Sequence, residues 1–236
     1  MTNPHYQLPI EETLKTAWHK VSGSKSTFWI AIIIVFFIMF ALGAISALLP
    51  KQIGAIFNIA IQIVSYLLQM GLIYIGIKRA QDLPLSFGLM FRAFNGGIAL
   101  KLIGLYFLQA IILFIPVLCC IIGLFLTATT SQSYNTLLAI ILFSIGILSS
   151  FYLGIRLMLS MAFVIDTETG PVNAVRLSFQ ATQCNFWHLL LIMLIQSLII
   201  IVSAIPLGIG LIWTLPFALI NYGVIYKSLT TNNLSH

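Results

Sequence analysis

The chain has 236 residues, of which 60% are hydrophobic and only 7% are charged. Because a soluble domain carries roughly a quarter charged residues, this composition excludes an ordinary water-soluble fold and predicts an integral membrane protein. The net charge of +6 follows from basic loops and their attraction to anionic lipid headgroups, so nucleic-acid binding is not predicted.

Six apolar runs are long enough to cross a bilayer, whose hydrocarbon core of about 30 Å takes about 20 helical residues. The predicted spans are Thr27–Leu49, Ile53–Ile77, Ile98–Leu126, Leu137–Ile155 with a continuation to Ile165 left open, Phe186–Leu207 and Ile209–Ile225. Ten of the eleven Lys and Arg residues then fall on one side, and Lys51 alone falls on the other. The excess of positive charge predicts that this side, with both termini, is cytoplasmic.

A short stretch that opens with proline precedes each pair of spans. The three openings are Leu8-Pro9-Ile10, Leu83-Pro84-Leu85 and Gly170-Pro171-Val172. The cations that follow them are Lys15, Arg92 and Arg176. Proline suits the first turn of a helix, and the pattern predicts three amphipathic helices in the cytoplasmic interface, with cations at the headgroups.

The recurrence of one short stretch and two spans predicts an internal repeat. The repeat units are about 8–79, 83–165 and 170–228, within a single integral membrane domain over 1–236. The predicted fold is therefore an all-α polytopic bundle of six transmembrane helices and three interfacial helices, with approximate threefold symmetry. The alternative is that such helices and aromatic belts recur in any polytopic protein.

Amide side chains supply most of the polar character inside the predicted spans. They are Asn58, Gln62, Gln69, Gln109, Gln196 and Asn221. In lipid such groups need partners, so they point to the bundle interior. There they either line a polar pathway or form hydrogen bonds between helices.

Arg156 is the most informative cation. If the fourth span ran on to Ile165, Arg156 would lie in hydrocarbon, at a cost of about 2.5–3.5 kcal/mol at the centre. The repeat favours an interfacial position for Arg156 instead, equivalent to that of Lys78, with Arg92 and Arg176 as the other interfacial arginines.

No catalytic, cofactor or metal site is predicted. No Asp or Glu lies within a confident span, so intramembrane acid–base chemistry has no carboxylate. Cys184 and His188 are four residues apart and could share a helical face, but a zinc site needs three or four protein ligands. The chain is therefore predicted not to be an enzyme.

Several short motifs lie at characteristic spacing between Leu83 and the end of the sixth predicted span. They are Pro84-Leu85-Ser86-Phe87-Gly88, Ile165-Asp166, Ala174–Ser178, Asn185-Phe186-Trp187 and Leu215-Pro216. This region resembles the YciC-like family of uncharacterised six-span bacterial inner-membrane proteins, distantly akin to the membrane domain of some glycerophosphodiester phosphodiesterases. The family has Ile-Pro-Gly ahead of span four, where this chain has Ser144-Ile145-Gly146. The resemblance implies a fold and a bacterial inner-membrane location, and it lends no activity or site residues.

Two functions are consistent with these features. The first is a non-enzymatic accessory or scaffold protein for a protein partner at the cytoplasmic face, since the charged residues lie on that face. The second is a transporter or channel for a small or lipid-like solute, as the amides and the prolines within spans allow.

Overall fold

The computed structural model describes residues 7–129, 133–205 and 208–233, and every regular element in these ranges is helical. The α-helices are α1 (Ile10–Val21), α2 (Lys25–Leu48), α3 (Lys51–Ala80), α4 (Gly96–Thr129), α5 (Ser133–Leu157), α6 (Ser160–Thr167), α7 (Pro171–Thr182), α8 (Phe186–Ala204) and α9 (Leu211–Asn233). A 3₁₀ helix covers Phe87–Phe94. The predicted all-α class is confirmed for the described residues.

Five helical segments of the described chain are long and apolar enough to cross a membrane. They are Lys25–Leu48, Lys51–Ala80, Gly96–Thr127, Thr136–Thr167 and Phe186–Ala204. These segments indicate a multi-pass membrane protein, and they correspond to the first five predicted spans. Leu207, the predicted end of the fifth span, lies outside the described residues.

The sixth predicted span begins two residues before α9 and otherwise falls within it, and α9 is not one of the five segments. Its polar residues face protein, since Thr214 is 2% exposed and Asn221 is fully buried. The Trp29 indole N–H donates to the carbonyl of Ile212 over 3.1 Å. The first turn of α9 therefore lies beside the first turns of α2. At the other end of α9, Leu229 is also fully buried, although it lies beyond the predicted end of the span.

Close backbone contacts fix α3 at the centre of the fold. A Cβ atom built on Gly71 would overlap the carbonyl oxygen of Met90, in the 3₁₀ helix. A Cβ atom on Gly76 would overlap the carbonyl oxygen of Leu219, in α9. Only glycine permits this approach, which is how small residues allow helices to pack in membranes. The 3₁₀ helix and α9 thus rest directly on the backbone of α3.

The α4–α5 pair is a second closely packed unit. A Cβ atom on Gly146 would lie 2.5 Å from the Cys120 sulfur, and one on Gly123 would lie 2.8 Å from the backbone nitrogen of Phe143. Large apolar side chains elsewhere face outward, and Phe40 of α2 is 67% exposed. Such exposure fits a surface surrounded by lipid rather than by water.

Short helices occur at the three predicted stretches, but their starts differ from the prediction. Pro171 is the first residue of α7, whereas Pro9 immediately precedes α1. Pro84 lies three residues before the second helix, which is 3₁₀ rather than α. Such tight helices are common in short connecting pieces, and this one places its backbone against Gly71.

The segment after Arg156 is interrupted. Helix α5 ends at Leu157 and α6 resumes at Ser160, where the Ser160 side chain is fully buried. The predicted continuation to Ile165 is therefore helical but broken by a turn, and α6 packs against α7.

Candidate functional site at the basic end

Most of the charged side chains meet at one end of the bundle, which we call the basic end. It is defined by the ion pairs of Lys20, Lys78, Arg92 and Lys227. Lys51 begins α3, and Lys78 is near its other end. At 1.5 Å per residue these two lysines are about 40 Å apart, so Lys51 lies at the opposite end of α3.

Asp82 joins three helices at the basic end. It follows α3 in a left-handed conformation, with φ of 62°. Its carboxylate accepts a hydrogen bond from Lys20 of α1 and lies 3.6 Å from the ammonium nitrogen of Lys227 of α9. The hydrogen bond from Lys20, with the charges of both lysines, lowers the pKa of Asp82 below its ordinary value of 3.8. Both ammonium groups also donate to the Ala80 carbonyl, over 3.2 and 3.1 Å.

Asp166, at the end of α6, forms the most protected ion pair. It accepts hydrogen bonds from Lys78 at 2.8 Å and from the Gln81 amide at 3.1 Å. The side chains of Lys78 and Asp166 are only 18% and 12% exposed. This contact ties α6 to the end of α3, and water screens it less than it screens exposed pairs.

Glu168 forms a second link on this side. Its carboxylate accepts a hydrogen bond from Arg92 at 3.1 Å, and its carbonyl accepts one from Lys101 at 2.6 Å. Arg92 also donates to the carbonyl of Ile165. The 3₁₀ helix and the start of α4 are therefore fastened to the α6–α7 turn.

The three predicted interfacial arginines differ in their surroundings. Arg92 is paired as described, and Arg176 is exposed on α7. Arg156 donates to the Thr182 hydroxyl at 3.2 Å, and its guanidinium lies 4.8 Å from the centroid of the Phe179 ring. The sequence predicts that these arginines lie on one face, but it does not indicate which of them pairs with an acidic residue.

Four of the six predicted amides form hydrogen bonds between helices. The pairs are Ser46 to Asn58 at 2.8 Å, Gln109 to Ser160 at 2.8 Å and Asn221 to Gln196 at 2.6 Å. They link α2 to α3, α4 to α6 and α8 to α9. These amides therefore lie in separate pairs, at three different helix contacts.

The other two amides lie on α3. Gln69 donates to Ser65 of the same helix at 3.3 Å. Gln62 lines a cavity of about 290 Å³ between α3 and α4, together with Tyr66 and Tyr106. The Tyr66 hydroxyl is buried and has no hydrogen-bond partner among the described residues. Sequence reasoning missed this tyrosine, because nothing in the pattern separates it from the other aromatic residues within the apolar runs.

A groove of about 280 Å³ separates α1 from α9 at the basic end. Its lining includes Glu12, Thr16, Lys20 and Lys227. The lining is polar and carries both signs of charge. This groove is not predictable from the sequence, since it depends on how α1 lies along α9.

Metal ligands do not gather in the part of the chain that the structure describes. No three His, Cys, Asp or Glu side chains there lie close enough to hold an ion. Cys184 and His188 therefore have no third ligand of these types within those ranges.

No family model, no curated protein and no solved structure matches this chain. The resemblance to the YciC-like family consequently remains a prediction that rests on the short motifs alone.

Proposed function

We propose that this protein is a non-enzymatic protein of the bacterial inner membrane that acts as an accessory or scaffold for a protein partner at the cytoplasmic face. The observation that carries this proposal is the polar groove between α1 and α9, whose lining includes Glu12, Lys20 and Lys227. Its mixed charge suits a polar peptide segment rather than an acyl chain. The ion pairs around it hold α1, α3 and α9 together, so a partner would meet a preformed surface.

The proposed threading places the basic end in the cytoplasm. The support is the positive-inside rule, because the predicted spans put ten of the eleven Lys and Arg residues on one side of the membrane. This threading requires α9 to be the sixth passage, because an even number of passages puts α1 and the end of α9 on the same side. The hydrogen bond from Trp29 to Ile212, which joins the starts of α2 and α9, is the observation against a full crossing by α9. The three short helices would lie in the interface, with residues such as Trp18, which is 51% exposed, toward the acyl boundary.

The proposed threefold repeat draws support from the order of the helices. A short helix followed by two long helical segments occurs three times, beginning with α1, the 3₁₀ helix and α7. The second unit departs from the pattern, because its short helix is 3₁₀ and its last segment is broken between α5 and α6.

Site-specific photo-crosslinking in intact cells tests the scaffold function. A photoreactive amino acid replaces Glu12 or Thr16, which line the groove, and Lys15 and Lys51 are matched control positions. Lys15 lies on α1 outside the groove lining, and Lys51 begins α3 at the far end. We expect one protein adduct shared by the two groove positions and lacking at both controls. Adducts with lipid alone, or the same adducts at all four positions, would contradict the proposal.

Transport of a small solute is the second candidate, and the α3–α4 cavity favours it. Gln62 and the buried Tyr66 hydroxyl are polar groups in an otherwise largely apolar cavity, an arrangement common in ligand sites. In proteoliposomes, Gln62→Leu and Tyr66→Phe should each abolish uptake of any solute that the natural protein carries. Asn58→Leu, on the same helix but outside the cavity, is the control. Equal uptake by liposomes with and without the natural protein, across a panel of small polar solutes, would remove this candidate.

A further inference from the structure

Arg156 differs from the paired cations of the basic end. Lys20, Lys78 and Arg92 each have a carboxylate partner. All five acidic residues of the chain are among the described residues, and none of them forms an ion pair with Arg156. Its Nε is buried and without a hydrogen-bond partner in the described ranges. The guanidinium has five N–H donors, and Thr182 accepts from only one of its nitrogens.

Aromatic side chains hold this guanidinium at the edge of the bundle. It lies 4.8 Å from the Phe179 ring centroid and 5.9 Å from that of Tyr152. The Tyr152 ring in turn lies 5.2 Å from the ring of Phe186, at the start of α8. The neighbouring Trp187 is 71% exposed. Aromatic residues of this kind are enriched where headgroups meet acyl chains.

The residue before Arg156, Ile155, lines an apolar groove. The groove lies between α5 and α8 and has a volume of about 340 Å³. Ile155 and Leu190 of α8 line one part of it, and Ser150 and Ser197 line another. Gly154 also lines the groove, and a Cβ atom built there would meet no atom within 4 Å.

We propose that Arg156 and the α5–α8 groove form a binding site for one anionic phospholipid. The phosphate accepts hydrogen bonds from the guanidinium, and an acyl chain lies in the groove. The phosphate supplies the acceptor that the protein lacks, since the buried Arg156 Nε has no hydrogen-bond partner among the described residues and guanidinium groups bind phosphate through charge-assisted hydrogen bonds. This site is independent of the proposed scaffold function, because it lies on α5 and α8 and not in the α1–α9 groove.

Native mass spectrometry of the full chain in detergent tests the site. The probes are dioleoyl phosphatidylglycerol, dioleoyl phosphatidylcholine and inorganic phosphate. Arg156→Gln removes the charge, Gly154→Leu fills the groove, and Arg176→Gln is the matched control for the loss of one exposed cation. Arg156→Lys keeps the charge and provides a variant that folds if Arg156→Gln does not. Monodisperse elution and an unchanged helical circular dichroism spectrum establish folding.

We expect one tightly held phosphatidylglycerol in the natural protein and weaker binding of phosphatidylcholine. Arg156→Gln and Gly154→Leu should each weaken phosphatidylglycerol binding about tenfold, the effect of losing one charge-assisted contact or the acyl contacts. Arg176→Gln should change it less than about twofold. If Arg156→Gln and Arg176→Gln weaken phosphatidylglycerol binding equally, the binding reflects only the general attraction of cations for an anionic lipid. That result would overturn the site. Displacement of the lipid by millimolar phosphate, or full binding by Gly154→Leu, would also overturn it.

Discussion

Gly76 of α3 and Gly223 of α9 are in direct backbone contact, so close that a Cβ atom on Gly223 would lie 2.5 Å from the carbonyl oxygen of Gly76. This contact sets the position of α9, which carries Lys227 to Asp82 and Asn221 to Gln196. The basic end and the core of the bundle thus depend on one pair of residues without side chains.

Replacing either glycine should therefore destabilise the fold. Gly76→Ala places a methyl group against the backbone of Leu219, and overpacking of this kind costs about 1–3 kcal/mol. Gly43→Ala on α2 is the control, because a Cβ atom there would meet nothing within 4 Å. Thermal unfolding in detergent should show a lower midpoint for Gly76→Ala only. Equal midpoints for the two variants would mean that α3 and α9 do not touch at this point.

The Lys78–Asp166 ion pair should contribute measurably to stability, because both side chains are largely buried. Asp166→Asn should lower the free energy of unfolding by about 2 kcal/mol, in the range for hydrogen bonds to charged groups. The double variant with Lys78→Met should cost less than the sum of the two single changes.

The exposed Lys15–Glu11 pair is the comparison for that measurement. Its side chains are 75% and 80% exposed, and such pairs often contribute nothing measurable. Glu11→Gln should therefore leave the unfolding midpoint unchanged.

For the Lys78–Asp166 pair, the contrary outcome is a double variant whose loss of unfolding free energy equals the sum of the two single losses. That result would show that the two side chains do not interact.

The contribution of Asp82 should depend on pH. Its pKa is lowered in the folded protein, chiefly by the hydrogen bond from Lys20. The stabilisation is therefore complete above its ordinary pKa of 3.8 and is lost as the pH falls through the lowered pKa. Asp82→Asn is a suitable comparison, because asparagine also tolerates the left-handed backbone.

We expect the natural protein to be more stable than Asp82→Asn near pH 7, by at most about 1 kcal/mol because the pair is exposed. The difference should shrink below pH 3.8 and should also shrink in high salt. Unfolding midpoints from pH 2.5 to 7 provide the measurement. A difference that is constant across this range would exclude an ionic role for Asp82.

Thiol labelling should locate both ends of the chain on one side of the membrane. In a background with Cys119, Cys120 and Cys184 replaced by alanine, single cysteines are placed at Glu12, Thr231 or Gln52. The three positions are exposed. An impermeant reagent applied to the periplasmic side should label only the cysteine at position 52. Labelling of position 12 or 231 in sealed cells would reverse the threading or make the number of passages odd.

The amino-acid sequence determined the helical class, the five long apolar segments and the segregation of charge. The length and hydrophobicity of each segment determine these properties, because a helix in lipid satisfies its backbone hydrogen bonds within its own segment and needs about 20 apolar residues to cross the bilayer. Tertiary structure decided which side chains contact each other. Lys78 and Arg156 have equivalent positions in the predicted repeat, yet only Lys78 meets a carboxylate. Four amides pair between helices while Gln62 lines a cavity, and α9 begins beside Trp29. Such contacts join residues far apart in the chain, and they depend on helix crossings that glycines such as Gly76 permit.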